Sequence, residues 1–199
     1  MAAKFQEMMH TGSVAHAQEQ YYGKSPTPRS TSGNDVLTPD EIEFIQSRDS
    51  FYMATVSENG WPYIQHRGGP AGFLKVLGPG ALAFADFKGN RQLLSTGNIA
   101  VADRVALFLM DYPQRTRLKI LGHARIEDAR RHPELVAQLA SPETAGAVER
   151  LFFIDVVSFD WNCPQHITPR FTAEQIREAV APLQQRIAEL EVQLREKKP

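Results

Sequence analysis

The sequence predicts a mainly β protein of the α+β kind. The expected body is a six-stranded antiparallel barrel with flanking helices and a long C-terminal helix. Three observations carry this. From residue 51 onward, apolar residues recur with a period of two in short runs separated by turn residues. The order of elements does not alternate strictly between strand and helix, which argues against a doubly wound parallel sheet. Between two of the later runs lies a basic turn, Asp86-Phe87-Lys88-Gly89-Asn90-Arg91-Gln92, suited to an anion.

Residues 5–20 carry Phe5, Met8, Met9 and Ala15 as docking groups for a helix. Residues 21–35 are rich in Ser, Pro, Thr and Gly, and read as a loop lying on a surface or on a partner subunit. Thr38-Pro39-Asp40-Glu41 is a helix start: Thr38 caps, Pro39 fits the first helical position, and Glu41 completes a capping box. Strands follow at Phe51–Val56 and Trp61–Arg67, joined by the turn Ser57-Glu58-Asn59-Gly60. Further strands are read at Phe73–Leu77 and Ala81–Asp86 around Gly78-Pro79-Gly80. Arg104–Met110 is apolar on both faces. Arg117–Glu127 alternates cleanly, with Leu118, Ile120, Ala124 and Ile126 on one face. A short helix over roughly 133–140 precedes a last strand, Leu151–Phe159.

Thr172 and Gln175 form a second capping-box pattern. Behind it Ile176, Val180, Leu183, Ile187, Leu190 and Leu194 recur at steps of four and three, a heptad seam. Pro182 interrupts it, which predicts a kink or two helices. The seam is shorter than a convincing coiled coil, so docking on the protein's own body and pairing with a second chain both stay open. The domain organisation expected is an N-terminal helix and loop arm over 1–36, a barrel domain over 37–171 and a helical extension over 172–199.

The bulk numbers fit one domain with extensions: 199 residues, 42% hydrophobic and 23% charged. A formal net charge of -1 gives no electrostatic case for nucleic acid. The one cysteine, Cys163, excludes an intramolecular disulfide and cysteine-based zinc sites. His10 and His16 do not share a helix face, so no metal site is expected. No apolar leader or membrane-length run occurs, and the expectation is a cytoplasmic protein that does not enter a membrane. Gly78-Pro79-Gly80-Ala81-Leu82-Ala83 loosely matches a dinucleotide-binding pattern, but a strand follows where that fingerprint needs a helix.

The basic turn offers Gly89 for close backbone approach, and the groups of Asn90, Arg91 and Gln92 for phosphate oxygens. Lys75 interrupts an apolar strand and sits at a solvated edge or near a bound anion. His66 and Arg67 end a strand. His166 lies in the rigid, irregular stretch Pro164-Gln165-His166-Ile167-Thr168-Pro169-Arg170, the kind of loop where sites gather.

Taken together, Trp61–Gly69, Phe73–Leu77, Phe84–Gln92 and Cys163–Arg170 resemble the pyridoxamine 5'-phosphate oxidase-like flavoproteins, an FMN-binding split-barrel family. The resemblance is nearest to a stand-alone branch of predicted flavin-nucleotide-binding proteins, and covers roughly residues 40–171. It implies a split barrel, FMN as cofactor, and a homodimer with cofactor at the subunit interface. Carried onto this sequence, the resemblance puts Lys75 near the flavin and Asn90, Arg91 and Gln92 at the phosphate, in the turn that Asp86 opens. His66 and Arg67 fall beside the cofactor or substrate, and Trp161, Gln165, His166 and Arg170 in a tail that reaches toward it. His166 and Arg170 would face the substrate. The true oxidases carry an Arg two residues before a substrate-holding His; here Pro164 stands there, which speaks against pyridoxamine phosphate as substrate. The expected function is therefore an FMN-dependent oxidoreductase acting on another small molecule. The alternatives are a non-catalytic FMN carrier, or a barrel of this type holding heme or a deazaflavin.

Overall fold

The computed structural model describes residues 3–89, 91–161 and 165–196. Its centre is one seven-stranded antiparallel sheet: β1 (Ser50–Val56), β2 (Pro62–Gly68), β3 (Lys75–Gly78), β4 (Ala81–Phe87), β5 (Arg104–Asp111), β6 (Thr116–Asp128) and β7 (Val148–Trp161). The spatial order is β2-β1-β5-β6-β7-β4-β3. That is one strand more than the expected six, although each of the seven falls on a segment read as strand-forming. β2 and β3 are the two edges and do not pair with each other. The sheet curls so that its ends approach. Phe51 of β1 meets Phe84 of β4 at 5.4 Å between ring centroids, and Phe84 stacks on Phe152 of β7 at 4.7 Å. The result is a barrel left open along one side, its core filled by alternating inward residues such as Met53, Leu107, Leu118, Ile120 and Ile154.

The long β6–β7 pair shifts register between Leu121 and Gly122. A Cβ on Gly122 would lie 2.7 Å from the Asp155 carbonyl oxygen, so only glycine lets the two strands approach this closely there.

The described residues form six α-helices. The single N-terminal helix expected is two, α1 (Ala3–Met9) and α2 (Gly12–Tyr22). The first ends at Met9, and Thr11 caps the second, accepting from the Val14 N–H, so a cap residue inside the apparent run splits it. α3 (Pro39–Gln46) starts where its capping box predicts, with the Thr38 N–H donating to Glu41 Oε2 at 2.9 Å. It buries Ile45 against the core. The segment leading into it is tied to the sheet: the Leu37 N–H donates to the Pro79 carbonyl at 2.7 Å, and Ser158 Oγ donates to Asp35 Oδ2 at 2.6 Å. α4 (Leu94–Val101) follows the basic turn, and α5 (Pro133–Leu139) covers a smaller apolar cluster of Ala83, Ala85, Leu151 and Phe153. α6 (Ala173–Glu196) is one helix that carries Pro182 inside it, rather than two. Its capping box forms on both sides: the Thr172 N–H donates to Gln175 Oε1 and the Gln175 N–H to Thr172 Oγ1. No helix among the described residues is long and apolar enough to cross a membrane.

Candidate functional site

The open side of the barrel, between β2, the end of β4 and the start of α4, holds a polar cavity of about 240 Å³. Its making is local. On β2, successive side chains alternate faces, and Tyr63, Gln65 and Arg67 turn one way, onto the cavity. Asp86 comes from the end of β4, and Arg150 stands directly opposite it in the β4–β7 register. The turn after β4 contributes Gly89, Arg91 and Gln92, and the first turn of α4 closes the wall with Leu94, Ser95 and Thr96.

Asp86 organises the floor. Its two oxygens are shared between Arg67 Nη1 and Arg150 Nε, the latter at 2.8 Å. Arg67 also lies over the faces of Phe84 and Phe152, at 5.5 and 5.0 Å. Burial pushes the Arg67 guanidinium below its ordinary value, and the Asp86 carboxylate offsets part of that. The group stays charged near neutral pH because arginine starts so high. Its Nε is buried and has no hydrogen-bond partner. A buried donor without an acceptor is costly.

The described lining therefore carries three guanidiniums, Arg67, Arg91 and Arg150, against one carboxylate, Asp86. The amino end of α4 adds to this. The first amides of any helix lack intrahelical acceptors and carry the positive end of its dipole. Leu93, the residue before the helix, makes no side-chain cap. Ser95 is buried and donates its hydroxyl to Gln65 Oε1 at 2.8 Å, which ties the helix to β2. Asn98 Nδ2 does the same to Thr55 Oγ1 on β1 at 2.9 Å. Arg91 and Leu93 both adopt left-handed backbone, with φ of 62° and 54°. Two such residues close together in a short turn are costly, and such strain clusters at ligand clamps.

Of the residues expected at a site, Arg67, Asp86, Arg91 and Gln92 come together at this cavity. Asn90, Cys163 and Pro164 lie outside the described residues. The others stand elsewhere in the chain. His66 is exposed on the opposite face of β2 from Arg67, its ring edge-on to Tyr52 at 5.4 Å. Lys75 opens β3, half-buried, paired across the strand with Ala83. Trp161 packs its ring edge against Phe44 at 4.8 Å and donates Nε1–H to Glu41 Oε1 at 2.6 Å, a core contact. Gln165 and His166 are exposed on the turn after β7. Arg170 lies 4.9 Å above the Tyr112 ring, beside the β5–β6 hairpin. None of these six lines the cavity of its own chain.

Tyr63, Gln65, Ser95, Thr96 and Arg150 line the cavity and were not read from the sequence. The period of two on β2 was a usable signal for the first two, once Arg67 is assigned to the site.

The family model for pyridoxamine 5'-phosphate oxidase matches residues 37–150, more than half of the chain. This chain belongs to that family. The matched span runs from the entry to α3 through Arg150, and so includes every wall of the cavity. No curated protein matches the sequence. Solved structures do. One is a putative pyridoxamine 5'-phosphate oxidase from Lactobacillus delbrueckii, at 20% identity and a TM-score of 0.50, covering 63% of this chain and 93% of that one. Another is a HupZ variant from Group A Streptococcus, at 13% identity and a TM-score of 0.50, covering 63% of this chain and 99% of that one. At such identities the likeness is one of fold, and it supports the split barrel.

Proposed function

We propose that the chain binds FMN through its phosphate at the β2–β4–α4 cavity and acts as an FMN-dependent oxidoreductase on a small molecule. The observation that carries this is the cavity's charge: three guanidiniums around a single carboxylate, at the amino end of a helix. Arg91 reaches from the turn to grip phosphate oxygens, with Gln92 beside it. Asp86 holds Arg67 and Arg150 in place rather than competing for the ligand, since both its oxygens are already engaged. The pair of α4 and Gln65 sets the width of the pocket through the Ser95 hydroxyl. FMN, when bound, supplies hydride or electron transfer; the protein supplies orientation and charge.

His166 and Arg170 keep their proposed role toward substrate only in a homodimer, where the tail of one subunit serves the site of the other. A second reading is a non-catalytic FMN carrier. It draws support from the described lining, which contains no His, Lys or Cys to move a proton. The visible spectrum of the purified protein, followed by addition of NADH and NADPH, tests both. A flavin spectrum, release of FMN on denaturation and bleaching by a reductant are the results expected of the enzyme. A flavin spectrum that no reductant bleaches selects the carrier. A colourless protein that takes up no added FMN contradicts both.

A further inference from the structure

From residue 173 to 195 every side chain of α6 is exposed. Along it Ile176, Val180, Leu183, Ile187, Leu190 and Leu194 form one stripe, between 37% and 67% exposed. A helix that leaves such a stripe in water has an unused apolar face. Set in heptads, Val180, Ile187 and Leu194 fall at a, and Ile176, Leu183 and Leu190 at d. Branched residues at two of three a positions and leucine at two of three d positions favour two parallel strands.

The charges agree with that choice. Arg186 stands at g and Glu191 at the next e. In a parallel, in-register pair each Arg186 faces the Glu191 of the other helix, twice by symmetry. An antiparallel pair matching Leu190 with Val180 would bring the two Arg186 copies together but also set Arg177 opposite Glu191 twice, so a self-cross-link at one d position is what separates the two orientations. Pro182 falls at c, on the outer side, so its ring does not enter the seam, and the helix runs through it unbroken.

We infer that α6 pairs with α6 of a second copy of this chain as a short, parallel, in-register coiled coil. The seam is about 28 Å long at 1.5 Å per residue, which is brief for an isolated coiled coil. Tethering to the barrel body, which the proposed function also places in a homodimer, would raise the effective concentration of the two helices. This inference is independent of what the cavity binds.

Site-directed cross-linking in the full-length chain tests it. With Cys163→Ser as background, Leu190→Cys places a thiol at d, and Gln185→Cys places one at f on the outer face. Under mild oxidation the Leu190→Cys protein should run as a covalent dimer on a non-reducing gel, and the Gln185→Cys protein as a monomer. Adding Arg186→Glu to the Leu190→Cys protein should lower the dimer yield, and adding Glu191→Arg as well should restore it. Leu183→Cys gives the same readout should Leu190→Cys fail to fold, with the helical circular dichroism signal as control. Absence of cross-linking at both d positions in a folded protein, or equal cross-linking at Gln185→Cys, overturns the inference.

Discussion

Arg91 carries two opposed properties in one residue. Its side chain adds a cation to the cavity, and its backbone sits at φ 62°, where a side chain is unfavourable. Left-handed backbone costs about 1 kcal/mol or more at a non-glycine residue. Arg91→Gly should therefore leave the thermal midpoint unchanged or raise it while weakening FMN binding at least tenfold, read by flavin fluorescence. A stability loss with intact affinity would mean that the guanidinium serves the fold instead. Asp86 is the complementary case. It neutralises two guanidiniums that are each more than four-fifths buried. Asp86→Asn should cost about 2 kcal/mol in denaturant unfolding, and added phosphate should recover part of that. At this scale the sequence was partly legible. The cationic turn shows in the chain itself because its residues are consecutive. Arg150 does not, because its place beside Asp86 exists only through the β4–β7 register.

The elements were the most legible level. Capping boxes at Thr38 and Thr172 predicted two helix starts that the structure has, and period-two runs predicted the strands. One reading failed for a physical reason: Thr11 interrupts an apparently continuous helix by capping its second half. Of the two outcomes expected at Pro182, a kink or two helices, the second is not what the structure has, because α6 is one helix. Trp161 was expected toward the cofactor by resemblance, yet its indole is tied to Glu41 at the α3–β7 junction. That junction predicts a pH response. Burial pushes the Glu41 carboxyl up, and the hydrogen bonds from Thr38 and Trp161 outweigh it, leaving the group below its ordinary value of 4.5. A depressed carboxyl contributes its stability above the ordinary carboxylate range and loses it as pH falls through the folded value. Glu41→Gln should thus cost about 1 kcal/mol at neutral pH, with the difference from the parent shrinking as pH falls below 4.5. Acid-titrated thermal unfolding of both proteins checks the sign; a gap that widens toward acid would contradict it.

For the whole molecule, the open barrel and the cavity are one arrangement. The sheet's ends approach without pairing, and the gap is bridged on its polar side by Arg67 to Asp86. The tail after β7 sits apart from the cavity of its own chain, as Arg170 over Tyr112 shows. The place of Arg170 in the fold depends on strand order, a long-range property that local spacing does not encode. In the function proposed, the cavity holds a phosphate. Equilibrium titration of the protein with FMN and with riboflavin, which lacks the phosphate, tests it most directly. FMN should bind at least a hundredfold tighter than riboflavin, about 3 kcal/mol, with the gap narrowing as salt rises. Equal affinity for the two would contradict it.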